Sequence, residues 1–291
     1  STVRCCTQNG VRGGNATVHF PIWHQEIEDI LVLKNNKGTE DNRVRKLDYS
    51  IQISKMFYER FMNDEDITLF SPHDAPGLYD AFGTDKFDAL YKKYEKDSSV
   101  NKKSIPAQDL FSDLLKERAE TGRIYIMNID HANSHSSFKD KVSMSNLCQE
   151  ITLPTTPISA IDDSQGEIAL CILSAINVGQ LNNLEDLENL CELAVRALEE
   201  IIEYQDYPVK AAEISTKSRR SLGIGYIGLA HYLAKQGHKY HEKGAWDSVD
   251  RLSEAFQFYL LKASNLIAQE KGACEGFKQT KYADGLLPID H

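Results

Sequence analysis

Short extended segments alternate along this chain with longer segments of helical periodicity, and this alternation limits the fold more than any other feature. Residues 47–53 alternate apolar and polar side chains, which predicts a half-buried strand. Residues 107–121 carry apolar side chains at three- and four-residue spacing and stop before Gly122, as a helix with a glycine C-cap does. Strands that alternate with helices predict an α/β fold.

The rest of the chain follows the same pattern. Extended segments are predicted at 123–129, 146–153 and 167–176, and the last is nearly all apolar, which is typical of a strand buried on both faces. Helices are predicted over 23–33, 56–61, 87–94, 184–204, 224–234 and 246–269. A polar run over 92–103 indicates solvated surface. We find no repeat and no linker-like tract, so residues 1–291 are interpreted as one domain or part of one.

Charge and cysteine usage exclude several classes of protein. A net charge of −10 argues against binding a nucleic-acid backbone, although a few arginines can still hold a small anion. No apolar stretch reaches the roughly 18 residues that a membrane span needs. Six scattered cysteines indicate a reducing compartment, so we expect a cytoplasmic protein without nucleic-acid or membrane partners. The chain begins at Ser1, without Met or signal peptide, and looks cut there.

The segment Ser145–Glu150 gathers chemically useful side chains. Asn146, Cys148 and Glu150 are spaced by two, so in an extended segment an amide, a thiol and a carboxylate share one face. A neighbouring carboxylate disfavours a thiolate, which argues against a cysteine-protease nucleophile. A neutral thiol beside an amide and a general base suits hydrogen-atom chemistry on a polyhydroxylated substrate. A partly exposed structural strand is the alternative interpretation.

Cys171 follows the apolar run Ile168-Ala169-Leu170. A cysteine in such a strand is commonly a small core residue, and redox activity would need a second thiol. Whether Cys148 and Cys171 come within bonding range stays open at this point.

The stretch from Cys6 to Gly14 packs three glycines around Arg12, which permits tight turns and a close approach of backbone to a ligand. It lacks the ending of a phosphate-cradling loop, so a nucleotide-sensing loop and an ordinary surface turn are both open.

Two further motifs have competing explanations. Gly223, Gly225 and Gly228 match the dinucleotide fingerprint, but no apolar strand is predicted before them, so we interpret them as glycines for close helix packing. His131 and His135 have metal-ligand spacing only if helical, and their surroundings indicate a loop, so no metal site is predicted.

Seven motifs in a consistent order give the chain a resemblance to the large, catalytic subunit of class I ribonucleotide reductases, over nearly its whole length. The motifs are Cys6-Thr7-Gln8-Asn9-Gly10-Val11-Arg12-Gly13-Gly14, Leu31-Val32-Leu33-Lys34-Asn35-Asn36, Asp66-Ile67-Thr68-Leu69-Phe70-Ser71-Pro72, Gly122-Arg123-Ile124-Tyr125-Ile126, Ser145-Asn146-Leu147-Cys148-Gln149-Glu150, Gly166-Glu167-Ile168-Ala169-Leu170-Cys171 and Arg220-Ser221-Leu222-Gly223-Ile224-Gly225.

The resemblance implies an incomplete ten-stranded α/β barrel over residues 1–291, with Cys148 at the tip of a central loop. It implies that Cys148 is oxidised to a thiyl radical that takes a hydrogen atom from the ribose. Glu150 is then the general base, Asn146 the orienting amide, and Cys171 one of two reducing thiols.

Binding roles are implied as well. The resemblance assigns Leu147 and Gln149 to substrate binding through their backbone. It makes the loop that contains Cys6, Gln8, Arg12, Gly13 and Gly14 a relay between nucleoside triphosphate effectors and substrate.

The implied activity is reduction of ribonucleoside diphosphates to deoxyribonucleotides, with no cofactor bound directly by this chain. The radical is expected from a metal-containing small subunit, and electrons from thioredoxin or glutaredoxin. The second reducing thiol, the substrate-phosphate loop and the radical-relay tyrosines are expected in remaining parts of the large subunit, so the chain alone should be inactive. A non-catalytic or split-subunit piece that docks to complementary chains, and a nicotinamide-dependent oxidoreductase, are the alternatives.

Overall fold

The structure is a computed structural model that describes residues 2–7 and 9–290. It divides into two compact units, one formed by residues up to 154 and from 285 onward, the other by Thr155–Asp284. Both units mix strands with helices, so the α/β prediction is confirmed.

The first unit holds five strands and seven helices in its described residues. The strands are β1 (Thr17–Pro21), β2 (Asp48–Ile53), β3 (Asp66–Phe70), β4 (Lys102–Pro106) and β5 (Ile124–Asn128). The helices are α1 (Thr2–Cys5), α2 (Ile27–Leu31), α3 (Lys55–Met62), α4 (Leu78–Ala81), α5 (Phe87–Lys96), α6 (Ala107–Thr121) and α7 (Ile129–Ser134), with 3-10 turns at Glu40–Asn42 and Pro288–Asp290.

A three-stranded parallel sheet of order β1-β2-β5 organises this unit, and β3 and β4 form a separate antiparallel pair. In the parallel sheet Val18 pairs with Tyr49 and Tyr49 with Ile124. Side chains alternate between the faces of a sheet, so this register puts Val18, Phe20, Tyr49, Ile51, Ile124 and Ile126 on one face. Thr17, His19, Ser50 and Gln52 consequently lie on the opposite face.

The middle strand differs from its predicted half-burial. Ser50 and Gln52 on the polar face are as buried as Ile51 and Ile53 on the apolar face, with exposures of 1% or less. The alternation in the sequence predicts one buried and one solvent-exposed face. The prediction of half-burial is wrong because another part of the chain, residues 143–149, covers the polar face.

Aromatic side chains fill the core on the apolar side. The largest fully buried ones are Trp23, Phe57, Phe70, Phe82, Phe87 and Tyr91. Tyr91 also carries a polar group into this core. Its hydroxyl donates to the Thr68 carbonyl oxygen at 2.6 Å and accepts from the Thr68 N–H at 2.8 Å, which satisfies both backbone groups of that residue.

The second unit is built on a two-stranded parallel sheet of β6 (Ile172–Asn177) and β7 (Leu222–Ile227). Its helices are α8 (Asp186–Tyr204), α9 (Lys210–Arg219), α10 (Leu229–Lys235) and α11 (Lys243–Lys271), with 3-10 turns at Val178–Gln180, Glu275–Gln279 and Lys281–Asp284. Its core joins α8 to α11 through the buried residues Leu187, Cys191, Leu252 and Phe256.

Several boundaries differ from the sequence predictions. Residues 224–227 are strand, since pairing with β6 overrides their helical spacing, and the helix begins at Leu229. The segment 167–176 is a strand only from Ile172, and Leu173 on it is 56% exposed, so burial on both faces is wrong. The helix predicted over 23–33 is reduced to α2, and the polar run over 92–103 contributes to α5 and β4.

The helix predicted over 107–121 has those boundaries and ends at Gly122, and the predicted strand 123–129 is β5. The described residues form seven strands in three sheets, fewer than the ten strands of the implied barrel. These sheets do not form a closed barrel.

The Tyr91 hydroxyl leads to a stability prediction. Tyr91→Phe leaves the buried Thr68 N–H and carbonyl without their partner, so the free energy of unfolding should fall by about 1–3 kcal/mol. Tyr94→Phe is the matched control, because its hydroxyl bonds to the Pro76 carbonyl at an exposed site, and it should cost less than about 0.5 kcal/mol. Urea unfolding measures both, and equal losses would contradict the role given to Tyr91.

Candidate active site

A loop that begins after the buried Val142 runs along the polar face of the β1-β2-β5 sheet. At its base, Asn133 of α7 accepts from the Val142 N–H at 2.8 Å and donates to the Val142 carbonyl at 3.0 Å. The Asn133 side chain thus satisfies both backbone groups of Val142, as a neighbouring strand would. It fixes where the loop leaves the core.

Alternate carbonyl groups of the loop then bond to the sheet. The Ser143 carbonyl accepts from Gln52 Nε2 at 2.6 Å, and the Leu147 carbonyl accepts from Thr17 Oγ1 at 2.7 Å. Between them, the Ser145 carbonyl lies 3.1 Å from His19 Nε2. The spacing of two means that residues 143–147 lie extended against the sheet, one strand side chain bonding to every second loop residue.

The loop reverses immediately after Leu147. The Gln149 N–H donates to the Asn146 carbonyl at 3.2 Å, and Gln149 has a φ of 66°, in the left-handed region. Its side chain returns to the sheet, accepting from Ser50 Oγ at 2.6 Å and donating to the Ile126 carbonyl at 2.6 Å. Cys148 therefore sits at the tip of a tight turn, with a bonded residue on each side.

The prediction that residues 146–153 are extended, with Asn146, Cys148 and Glu150 on one face, is wrong in this respect. The turn at 147–149 interrupts the alternation on which that prediction depended. The three residues are still brought to one short loop tip, where Cys148 and Glu150 are exposed and Asn146 is half-buried.

Asn146 closes the neck of this loop. Its Oδ1 accepts from the Ile151 N–H at 3.1 Å, and the Ser145 hydroxyl donates to the Ile151 carbonyl. Within the described residues its Nδ2 group makes no hydrogen bond, so two amide donors remain for a ligand. The carboxamide therefore shapes the loop with one end and can bind with the other.

Two backbone groups beside Cys148 are already engaged. The Leu147 carbonyl bonds to Thr17 and the Gln149 N–H closes the turn. The Leu147 N–H and the Gln149 carbonyl make no hydrogen bond among the residues that the structure describes. These are the backbone groups that a substrate could use at the predicted positions.

Burial favours the neutral form of His19. Burial lowers its pKa from 6.5, and the bond to the Ser145 carbonyl only partly opposes this. With Nε2 as the donor to that carbonyl, Nδ1 is buried without a partner in the described part of the chain. Protonation of Nδ1 would bury both a charge and an unpaired N–H, which accounts for the direction of the shift.

Cys171 lies in the second unit, exposed, directly before β6. The chain that leads to it is anchored at Glu167, whose carboxylate pairs with Arg219 at 2.6 Å and whose backbone bridges to Thr156. Cys191, in contrast, is fully buried, and burial raises the pKa of its thiol to about 11. The Cys171 thiol is therefore accessible for reaction, whereas the Cys191 thiol is a packed core group.

The loop predicted to read effector and substrate is exposed at Cys6, Arg12 and Gly13, and Gln8 lies outside the described residues. Gly14 packs so closely that a Cβ would collide with the carbonyl oxygens of Val3 and Cys6. Only glycine fits there, which explains one member of the glycine-rich pattern.

Two of the three fingerprint-like glycines allow close packing. Gly223 and Gly225 lie within β7, and a Cβ at Gly223 would collide with the Leu173 side chain. Gly228, with a φ of 81°, packs against Asn177 and Gly179. Gly223 packs against β6 and Gly228 against the end of β6 and the turn that follows it, not against a helix, whereas a Cβ at Gly225 would meet open space. The turn of a dinucleotide site lies after its strand, not within it.

His131 lies in α7 and His135 directly follows that helix, so their interpretation as loop is wrong. Their rings meet edge to face with centroids 5.7 Å apart. Among residues 2–7 and 9–290, no group of three His, Cys, Asp or Glu side chains is arranged to hold a metal ion.

Sequence reasoning missed the residues that hold the loop, namely Thr17, His19, Ser50 and Gln52. The available signal was polar side chains at alternate positions of two neighbouring strands whose other face is apolar. A buried polar group needs a partner, so such a face predicts a covering segment.

In the part of the chain that the structure describes, every helix is too short or too polar to cross a bilayer.

Comparison with known proteins gives a consistent result. A family model described as the ribonucleotide reductase barrel domain matches residues 1–291. The chain is 55% identical over 295 residues to a ribonucleoside-diphosphate reductase subunit alpha of Haemophilus influenzae, and 55% identical over 295 residues to ribonucleoside-diphosphate reductase 1 subunit alpha of Escherichia coli (strain K12). A subunit alpha of Enterobacteria phage T4 is 43% identical over 298 residues. Each match covers 100% of this chain and 39% of the relative.

The buried histidine leads to a prediction about pH. His19 protonates more readily in the unfolded chain than in the fold, so stability is retained above pH 6.5 and lost as the pH falls below it. His19→Gln keeps an N–H donor for the Ser145 carbonyl but removes this titration. Its stability should therefore fall less between about pH 7.5 and about pH 5.5.

Thr17→Val is the control for this measurement. It removes a neighbouring bond to the loop without removing a titrating group, so it should lower stability at every pH and keep the wild-type slope. An unchanged slope in His19→Gln would contradict the assignment.

Proposed function

The chain belongs to the ribonucleotide reductase barrel-domain family, and on that premise we propose that it is the part of a ribonucleoside-diphosphate reductase large subunit that carries the reacting cysteine, Cys148. The observation that carries the proposal is the exposed Cys148 at the tip of a turn anchored on both sides to a sheet. The chain spans 39% of the length of its curated relatives, and the activity is proposed for the complete large subunit.

The reaction begins at sulfur. With Cys148 as a thiyl radical, a ribose C–H bond breaks and a Cys148 S–H bond forms, which leaves the unpaired electron on carbon. Glu150 accepts the proton of the neighbouring hydroxyl, and the Asn146 amide donors orient the sugar oxygens. Both side chains flank Cys148 in the loop and are accessible to a ligand.

Reduction then needs two electrons. Two thiols close into a disulfide while the ribose hydroxyl leaves as water. One thiol is that of Cys171, and the second belongs to the rest of the large subunit. The hydrogen atom returns from Cys148 to the sugar, which restores the thiyl radical. Exposure of Cys171 supports this role, because both its oxidation and its later reduction by thioredoxin or glutaredoxin need access.

The proposed reaction implies the partners. The radical comes from a metal-containing small subunit, and no cofactor is bound directly here. Nucleoside triphosphate effectors act through the loop that contains Cys6, Gln8, Arg12, Gly13 and Gly14, in which Arg12 is exposed and available to a phosphate. The cytoplasm is the compartment, since Cys148 and Cys171 must stay reduced between turnovers.

The test uses the complete large subunit with its small subunit and a dithiol reductant. Cys148→Ser should lower deoxyribonucleotide formation by at least about 1,000-fold, because an alcohol O–H cannot replace the thiol in the hydrogen-atom transfer. The buried Cys191→Ala is the matched control, and it should keep the turnover of the folded enzyme. Normal turnover in Cys148→Ser would contradict the proposed function.

A further inference from the structure

Gln149 adopts a backbone conformation that its side chain makes unfavourable. Its φ of 66° lies in the left-handed region, which glycine enters freely and residues with a Cβ enter at a steric cost. A glycine would make this turn more easily. A glutamine there indicates that the side chain itself serves the loop.

Both ends of the Gln149 carboxamide are used, on two different strands. The oxygen accepts from the hydroxyl of Ser50 on β2, and the nitrogen donates to the carbonyl of Ile126 on β5, each at 2.6 Å. Ser50 is fully buried. The Ile126 carbonyl can only accept, so the nitrogen has to face it, and the Ser50 hydroxyl then donates to the oxygen. The carboxamide therefore has a single orientation that satisfies both contacts.

The position of these bonds relative to Cys148 matters. Residues 143–147 are tied to the sheet through their carbonyls, and the last such tie is the one from Thr17 to Leu147. On the other side of Cys148, the side chain of Gln149 provides the tie to the sheet. Cys148 is thus held between two adjacent anchors, one made by backbone and one by the Gln149 carboxamide.

We propose that Gln149 is a positioning residue, whose side-chain clamp on Ser50 and Ile126 sets the place of the Cys148 sulfur for hydrogen-atom transfer. This inference rests on the proposed function. The transfer breaks a ribose C–H bond and forms an S–H bond, and its rate depends steeply on the distance between carbon and sulfur. Gln149 touches none of the reacting atoms, so it acts through Cys148.

Two variants remove all or half of the clamp without straining the turn. Gln149→Gly keeps the left-handed backbone conformation and deletes both bonds, and Ser50→Ala deletes one of them. We expect kcat to fall by about 10- to 100-fold in Gln149→Gly and by about 3- to 10-fold in Ser50→Ala, with KM for the ribonucleoside diphosphate within about threefold of wild type. The double variant should lose no more than Gln149→Gly, because both act through one clamp.

Each variant has a matched control. Asp64→Gly makes the same kind of change at another left-handed residue, with a φ of 56°, on an exposed turn. Ser54→Ala removes a buried hydroxyl just beyond the end of β2 that has no partner among the described residues. Both controls should keep wild-type kcat.

The decisive readout is the hydrogen isotope effect on kcat in the complete enzyme, with substrate deuterated at the ribose carbon that loses its hydrogen. A displaced sulfur slows the transfer itself, so the isotope effect should rise in Gln149→Gly and Ser50→Ala. A purely structural defect would lower the amount of folded enzyme and leave the isotope effect unchanged.

The inference and the proposed function fail differently. Wild-type kcat and isotope effect in Gln149→Gly, with Cys148→Ser inactive, would overturn the positioning role alone. A lower kcat that follows the loss of folded protein, without a change in isotope effect, would also overturn it. Turnover by Cys148→Ser would overturn the function itself.

Discussion

The structure around Cys148 depends on the hydrogen bonds between a buried polar sheet face and the loop that covers it. Thr17, His19, Ser50 and Gln52 project from two strands, and each bonds to the segment 143–149. A covering segment that did not bond to these groups would leave them buried without partners, at a cost of about 1–3 kcal/mol each. Without the sheet, the loop would lose the hydrogen bonds that stabilise its turn. Each element requires the other.

This dependence links folding to chemistry. A reactive thiol has to be accessible, and an accessible loop tip is ordinarily mobile. Here the two residues beside Cys148 are bonded to strands of the core, while Cys148 itself stays exposed. The sheet therefore fixes the position of Cys148, which is exposed and so is not held by packing. Cys191 shows the opposite solution, a thiol immobilised by burial and removed from reaction.

Local patterns predicted the elements whose structure depends on local interactions. The helix over 107–121 and the strand β5 follow from periodicity and a glycine cap. The turn at Cys148, the strand at 222–227 and the full burial of Ser50 and Gln52 did not, because they depend on pairing between segments distant in the chain. The hypothesis that Asn146, Cys148 and Glu150 act together came from their side-chain chemistry and from the family resemblance. The face they were expected to share required an extended segment, and the turn removes it.

The central claim is that the sheet presents Cys148 to the ribose of a bound substrate. A crystal structure of the complete large subunit with a ribonucleoside diphosphate measures this most directly. The account predicts the Cys148 sulfur within about 4 Å of a hydrogen-bearing ribose carbon, with Thr17 and Gln149 still bonded as described. A substrate bound away from Cys148, or a loop detached from the sheet when substrate is bound, would contradict it.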